Sequence, residues 1–382
     1  MLVVVAKRFL SAAPAISPLH FALMDKIAKS KTSEQIDKLV ELAPNSMLNA
    51  GTCAAALRRL GVLQSAHPHT IAKLLSCTEP IKLKPAQLRD CVFGLAQLRE
   101  TLPESLVDKT LQCKELGEFT GEDFALLLDS LPEKGGKSLM VCDKLAAELC
   151  ERKNLKDFEG RHLGSIAHDL AVRFELVDHP VLASIARDIV KRKTLSDFES
   201  DDFGLILKTY ASLPVKDEML FDKVNKFLCK YPETLDEFEA VDFGVVLQSF
   251  VDAGFDHTRL FGKVVDHLLL RPALDNFTGY DIALIMQLLD DYDVCVKFSE
   301  EIVNREPGGG LDEFEIEEIA SILATLAGFK EPNMLALRAL FNSVLKRDLT
   351  GVNSTLLESI YDNLESLGFP VDSSTPSSSQ VD

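Results

Sequence analysis

The sequence predicts an all-α protein: an α-solenoid of about eight two-helix repeats of 35–40 residues, with capping helices at both ends. Three observations support this fold class. A phenylalanine recurs every 37–40 residues, apolar residues follow it at helical spacing, and no segment of useful length alternates in the manner of a strand. A unit of this length cannot bury its apolar face alone, so neighbouring units are expected to stack. The recurring phenylalanines, called the marker residues below, are Phe119, Phe158, Phe198, Phe238, Phe277 and Phe314.

The first helix of each repeat is predicted from the residues that follow the marker. Apolar side chains stand five, eight, nine and twelve residues later, a spacing that covers one face of a helix. After Phe198 these residues are Phe203, Ile206, Leu207 and Tyr210. Leu48 and Leu83 take the marker position in two earlier repeats. The predicted array therefore covers residues 48–348.

The second helix follows after a short turn. In the Phe198 repeat we predict the first helix from about Asp201 to Ser212 and the second from about Asp217 to Lys230. Small residues six positions after the marker, such as Gly204 and Gly244, indicate close packing between helices. An acidic residue four positions after the marker complements the positive end of the helix dipole. These acidic residues are Asp123, Asp202, Asp242, Asp281 and Glu318.

The two ends of the array lack the aromatic marker. We predict N-terminal capping helices within residues 21–47 and a C-terminal capping helix within residues 349–369, because atypical end units are usual in solenoids. The serine-rich tail, residues 370–382, is expected to be disordered.

Residues 1–20 resemble a mitochondrial presequence. They contain Lys7 and Arg8 together with small and hydroxylated residues, and they contain no Asp or Glu. A secretory signal is the alternative, but its basic residues should precede the apolar stretch, whereas Lys7 and Arg8 follow it. We therefore expect the protein in the mitochondrial matrix.

The composition indicates a folded, acidic protein without a recognisable site for chemistry. Hydrophobic residues make up 46% and charged residues 26%, and the net charge is -18. No apolar run approaches the length of a membrane span. The eight cysteines include no Cys-x-x-Cys pair, so the sequence predicts no metal site. Since no catalytic or cofactor-binding motif is complete, we expect a non-enzymatic protein that carries no cofactor.

Positions ten and eleven residues after the marker vary between repeats and are mostly polar. In helical-repeat proteins that read RNA, varied polar residues on equivalent helices contact the bases. These positions are therefore predicted to form a candidate ridge for RNA or a protein partner, although an ordinary solvated face would have the same composition. The ridge residues are Asp129, Ser130, His168, Asp169, Lys208, Thr209, Gln248, Ser249 and Gln287.

The repeat also resembles a known family. It reads Phe-x-x-x-Asp-Phe-Gly-x-Ile-Leu at Phe198–Leu207, and a similar segment spans Phe238–Leu247. Over roughly residues 48–368 the chain resembles the heptatricopeptide repeats of mitochondrial RAP-domain and FAST-kinase-like proteins. The resemblance implies a role in organellar RNA processing, RNA stability or mitochondrial ribosome assembly. Those proteins are usually basic and commonly carry a RAP domain, which is not recognisable in this acidic chain.

These features predict a non-enzymatic helical-repeat protein that acts in organellar RNA metabolism or associates with the mitochondrial ribosome. Its expected partners are proteins of a mitochondrial ribonucleoprotein or other large assembly, together with RNA. The alternative is a structural accessory subunit of a large mitochondrial complex, such as a respiratory or ATP-synthase assembly, without nucleic-acid binding. The negative charge favours this alternative because phosphate contacts require lysine and arginine, whereas the repeat resemblance favours the first interpretation.

Overall fold

The computed structural model describes residues 18–78, 83–133, 135–349 and 351–369. Every regular element in these ranges is a helix, which confirms the prediction of an all-α protein. Most of the predicted presequence, and all of the serine-rich tail at 370–382, lie outside the described residues. By its internal contacts the chain divides into two units, one ending at Lys191 and the other beginning at Arg192.

The first unit contains helices α1 to α10. Their bounds are α1 Pro18–Lys29, α2 Ser33–Leu42, α3 Ala50–Leu63, α4 Pro68–Thr78, α5 Pro85–Gln97, α6 Glu104–Gln112, α7 Gly121–Asp129, α8 Gly136–Glu151, α9 Gly160–His168 and α10 Pro180–Lys191. Odd-numbered helices pack on one another in chain order from α1 to α9. Among the even-numbered helices, α2 packs on α4, α6 on α8 and α8 on α10.

The second unit contains helices α11 to α19. Their bounds are α11 Ser200–Ser212, α12 Glu218–Lys230, α13 Ala240–Ala253, α14 Thr258–Leu270, α15 Gly279–Leu289, α16 Tyr292–Arg305, α17 Ile316–Ala327, α18 Met334–Leu345 and α19 Ser354–Ser366. Again the odd-numbered helices pack successively from α11 to α19, and the even-numbered ones from α12 to α18. Helices α11 and α12 each begin within one residue of the start predicted from the sequence.

The marker residues belong to the core. Each lies just before a first helix, and its side chain is buried. All six markers are at most 5% exposed. In the second unit their rings connect consecutive repeats, since the ring of Phe203 lies 5.6 Å from that of Phe198 and 6.4 Å from that of Phe238. Phe243 repeats the arrangement with Phe238 and Phe277, at 5.3 and 6.4 Å. Aromatic packing of this kind adds to the burial of apolar area.

The acidic residue after each marker closes the start of the first helix. Asp202 is the third residue of α11, and its carboxylate accepts the backbone N–H of Glu199 at 2.9 Å. In α7 and α15 the bond is reciprocal: Asp281 accepts the Thr278 amide at 2.9 Å, and the Thr278 hydroxyl accepts the Asp281 amide at 3.2 Å. These are capping boxes, which satisfy backbone donors that a helix start leaves unpaired. His162 takes the same position in α9, where its Nδ1 accepts the Glu159 amide at 3.1 Å.

Small residues allow close approach of the first helices. A Cβ atom placed on Gly94 of α5 would lie 2.4 Å from the backbone carbonyl of Leu57 on α3. Likewise, a Cβ on Gly204 would lie 3.3 Å from Val245 Cγ1, and one on Gly244 would lie 3.0 Å from Leu284 Cδ2. Gly204 and Gly244 therefore serve helix packing, as the sequence pattern indicates, while Gly94 lies outside that pattern, eleven residues after Leu83.

Candidate functional site

Burial divides the predicted ridge into two sets. The residues ten positions after the marker are accessible: Asp129, Lys208 and Gln287 are exposed, while His168 and Gln248 are half-buried. Ser130, Asp169, Thr209 and Ser249, eleven positions after the marker, are buried and at most 8% exposed. The prediction that these four belong to an accessible ridge is therefore corrected. Only the first set remains available to a partner.

The buried set has a structural role in the helices. The hydroxyls of Ser130, Thr209 and Ser249 donate to backbone carbonyls four residues earlier, at 2.6–2.7 Å. A buried hydroxyl needs such a partner, because burying an unbonded polar group is costly. Each of these three residues directly follows an accessible ridge residue in the sequence, so helical periodicity alone did not separate the two positions. The small side chains of Ser130, Thr209 and Ser249 were the signal that this second position faces the core.

Asp169 is a buried carboxylate at the end of α9, where a π-helical turn spans Asp169–Arg173. Burial raises the pKa of its carboxyl to about 7, and the negative charge of Asp129 acts in the same direction. The guanidinium of Arg173, 3.9 Å away, opposes that rise. Arg173 is itself held by the backbone, because it donates to the carbonyls of Leu128 and Asp129. A carboxylate in this position is part of the helix packing.

A recurring arrangement that the helical pattern did not reveal involves arginines at the ends of second helices. Arg305 shows it most fully: its guanidinium donates to the carbonyls of Leu274 and Phe277, both at 2.7 Å. The carboxylate of Glu301 accepts from its Nε at 2.7 Å. Equivalent bonds join Arg152 to the carbonyls of Leu116 and Phe119, Arg271 to that of Phe238, and Arg347 to those of Leu311 and Phe314. We call these four residues the clamp arginines.

The clamp arginines also contact aromatic rings. The guanidinium of Arg152 lies 5.2 Å from the ring centre of Phe158, that of Arg271 lies 5.4 Å from Phe277, and that of Arg305 lies 5.9 Å from Phe314. Each of these three arginines thus bonds to the marker carbonyl of one repeat and lies over the marker ring of the next. Cation–π contact and charge-assisted hydrogen bonds act together at these positions.

A sequence signal for the clamp exists in the turn between repeats. Arginine stands six residues before the marker and leucine three residues before it in Arg152–Phe158, Arg192–Phe198 and Arg271–Phe277. The leucines, Leu155, Leu195 and Leu274, are at most 3% exposed. The signal is therefore a periodic pattern in the turns, separate from the apolar pattern of the helices.

Two turns of the second unit depart from this spacing: Arg305 stands nine residues before Phe314, and the turn before Phe238 carries no arginine. In that turn Tyr231 stands where the turns on either side carry Arg192 and Arg271, and its distance to the equivalent leucine, Leu235, is four residues instead of three. By the register of the other repeats, the acceptors at this position are the carbonyls of Leu195 and Phe198. A cavity of about 320 Å³ lies beside them. It is lined by Thr194, Ser196, Phe198, Phe227, Tyr231, Glu233, Thr234 and Glu237.

The cavity combines aromatic walls with acidic residues. The rings of Phe227 and Tyr231 lie 5.1 Å apart, and Phe198, which also lines the cavity, is a buried core residue. The eight described residues that line the cavity include two exposed glutamates, Glu233 and Glu237, and no basic side chain. Nearby, the Nζ of Lys230 lies 4.9 Å from the Tyr231 ring centre. We call this the Tyr231 cavity.

Metal ligands, thiols and membrane-spanning helices were the other features to consider in the described residues. Within those ranges no three His, Cys, Asp or Glu side chains converge as a metal site would require. The buried thiols of Cys53 and Cys142 have their pKa raised to about 12, because burial disfavours the thiolate. Across the same ranges, no helix has the length and apolar character needed to cross a bilayer.

No protein-family model matches the sequence, and a comparison with curated proteins found no significant match.

Proposed function

We propose that this protein is a non-enzymatic α-solenoid scaffold of the mitochondrial matrix that serves organellar RNA metabolism or the mitochondrial ribosome by binding protein partners. The successive packing of first helices on first helices in both units, and of second helices on second helices throughout the second unit, supports the solenoid part of this proposal. The presequence-like segment and the resemblance of the repeats support the organelle and the process.

The observation that favours protein partners over direct RNA contact is the use of basic side chains inside the protein. The four clamp arginines donate to backbone carbonyls. Lys144 and Lys297 are bound in the same way, to the carbonyls of Leu111 and Leu269 at 2.6 and 2.8 Å. Donors engaged in this way are not available to phosphates. With a net charge of -18, the remaining surface suits basic protein segments better than RNA.

The accessible ridge positions agree with this assignment. In the first unit these are Asp129 on α7 and His168 on α9. In the second unit they are Lys208, Gln248 and Gln287 on consecutive first helices, and Gln248 bonds to Asp252 at 2.6 Å. A mixture of one acid, one base and neutral side chains forms no basic stripe. Groove binding of RNA would require such a stripe.

A direct binding measurement tests the choice between RNA and protein. The purified protein is titrated with fluorescent single-stranded mitochondrial RNA over a range of salt concentrations. We expect binding no tighter than the non-specific range, with a dissociation constant of about 10⁻⁴ to 10⁻⁶ M at physiological salt. Nanomolar binding with a steep salt dependence would instead assign the function to direct RNA recognition.

The accessory-subunit alternative is supported by the same acidic surface. It differs in the partner, which would be a respiratory or ATP-synthase subunit. Identifying the proteins bound to this chain in mitochondria distinguishes the accessory-subunit function from a role in RNA metabolism or the ribosome.

A further inference from the structure

We propose that the Tyr231 cavity binds an arginine side chain presented by a protein partner. The proposal rests on the proposed function, since it names the chemistry by which the scaffold would recognise one of its partners. The protein itself shows which group fits such a position. In three neighbouring repeats of the second unit, the equivalent place is filled by the guanidinium of Arg271, Arg305 or Arg347.

The backbone beside the cavity matches that of the internal clamps. Each clamp guanidinium lies against the marker carbonyl of the preceding repeat, and here that marker is Phe198, which lines the cavity. The Leu195 carbonyl accepts the Phe198 amide at 3.0 Å, just as the Leu274 carbonyl accepts the Phe277 amide at 3.0 Å. The Leu274 carbonyl accepts the Arg305 guanidinium in addition. The backbone of the turn is thus arranged alike, but Tyr231 supplies no cation.

The charge of the cavity also suits a cation. Glu233 and Glu237 line the cavity and are exposed, so both carboxylates are accessible to an incoming positive group. At the end of α16, the carboxylate of Glu301 has the role proposed here for Glu233 and Glu237, because it accepts a hydrogen bond from Arg305 Nε. Arginine suits such a place better than lysine, because its planar fork can bond to carbonyls and a carboxylate while it stacks on an aromatic face.

The size of the cavity fits the same group. A volume of about 320 Å³ is roughly ten times the share of one water molecule in the liquid, about 30 Å³. The cavity therefore has room for a guanidinium and part of its aliphatic stem. The rings of Phe227 and Tyr231 provide the apolar and π surfaces against which such a stem and head pack.

The test uses three capped tripeptides, acetyl-Gly-Arg-Gly-amide, its lysine analogue and its citrulline analogue, which keeps the shape of arginine without the charge. Two threonines, Thr194 and Thr234, line the cavity, so ¹³C-methyl-threonine NMR of the full chain reports binding there. We expect saturable shifts of these two methyl signals with the arginine peptide, in the millimolar range. The lysine peptide should bind at least threefold more weakly, and the citrulline peptide at least tenfold.

Variants locate the binding. Tyr231→Arg places the internal guanidinium in the cavity, so it should abolish the peptide shifts and raise the melting temperature by a few degrees. The surface double variant Glu233→Gln/Glu237→Gln does not touch the core and should weaken arginine-peptide binding at least fivefold. Glu313→Gln, an exposed acid in an equivalent turn, is the matched control and should leave the affinity unchanged.

The proposal is overturned if no saturable shift occurs at Thr194 and Thr234, if citrulline binds as well as arginine, or if the glutamate double variant binds like the wild type. Its failure is separable from that of the scaffold function. If the same proteins co-purify from mitochondria with the wild type and with Tyr231→Arg, the scaffold stands and the cavity is not the contact. If no protein co-purifies with the wild type, the scaffold function itself fails.

Discussion

At the scale of single residues, the clamp arginines are structural groups and not ordinary surface charges. Arg305 connects the end of α16 to the turn before α15 by donating to two backbone carbonyls there. Its side chain is only 15% exposed, so these bonds are partly shielded from water. Charge-assisted bonds in such places are stronger than exposed ion pairs.

Arg305→Ala should therefore lower the free energy of unfolding by about 2 kcal/mol, because it removes three charge-assisted hydrogen bonds and a ring contact. Arg305→Lys should recover only part of this loss, since an ammonium group cannot reproduce the fork. Urea denaturation followed by circular dichroism measures both. Arg338→Ala, an exposed arginine on α18, is the control and should change stability by less than about 0.5 kcal/mol. Equal effects of the two alanine variants would contradict the clamp.

The buried carboxyl of Asp169 makes stability depend on pH. Its pKa is raised from 3.8 to about 7, so the native state favours the protonated form. The associated stability is fully present below about pH 4 and is lost as the pH rises through about 7.

Asp169→Asn removes this loss. The stability of the variant relative to the wild type should rise by about 2 kcal/mol between pH 5 and pH 8, which thermal denaturation at several pH values measures. Asp129→Asn, which changes the exposed neighbour, should leave most of the wild-type pH dependence in place. A stability difference between Asp169→Asn and wild type that does not vary with pH would show that Asp169 is ionised in the native state at neutral pH.

At the scale of helices, the close contact between α3 and α5 depends on Gly94. A methyl group there would meet the Leu57 backbone, which cannot move as a side-chain end can. Gly94→Ala should thus destabilise the protein by about 1–3 kcal/mol through overpacking. Gly262→Ala, an exposed glycine within α14 with no atom within 4 Å of the added methyl, should instead stabilise it by about 0.5–1 kcal/mol. Chemical denaturation of both variants measures these changes, and a change of the same sign in both would contradict the packing described for Gly94.

The helices and their buried faces could be predicted from the sequence. The burial and the hydrogen-bond partners of individual polar residues could not. The offsets after Phe198 determine which face of α11 is buried, because burial follows helical period. Whether Thr209 beside Lys208 faces water depends on the width of the packed face, which only the neighbouring helices decide. The partners of Arg305 lie 28 and 31 residues away, on the backbone of another turn, and backbone acceptors leave no trace in the side-chain pattern.

The Tyr231 cavity illustrates the same limit. Tyr231 and the extra residue before Leu235 are visible in the sequence, but their meaning depends on knowing what arginine does in the other turns. Only when the clamp arginines are known does the absence of arginine at Tyr231 indicate a set of backbone acceptors without their usual internal donor.

At the scale of the whole molecule, a helical-repeat architecture is combined with an acidic composition and with basic side chains that are engaged internally. The acidic composition and the engaged basic side chains are expected of a scaffold that binds basic segments of proteins, whereas a direct RNA reader would keep arginine and lysine free. The unit that ends at Lys191 contains one clamp arginine and the unit that begins at Arg192 contains three, and both have exposed first-helix positions.

The most direct test of the scaffold function is to crosslink the tagged protein in isolated mitochondria, purify it with and without nuclease treatment, and identify the bound proteins and RNA by mass spectrometry and sequencing. We expect that ribosomal or RNA-processing proteins are recovered and that they persist after nuclease treatment, because protein contacts hold them. Recovery of respiratory or ATP-synthase subunits in their place, or loss of every protein partner on nuclease treatment, would contradict the proposed function.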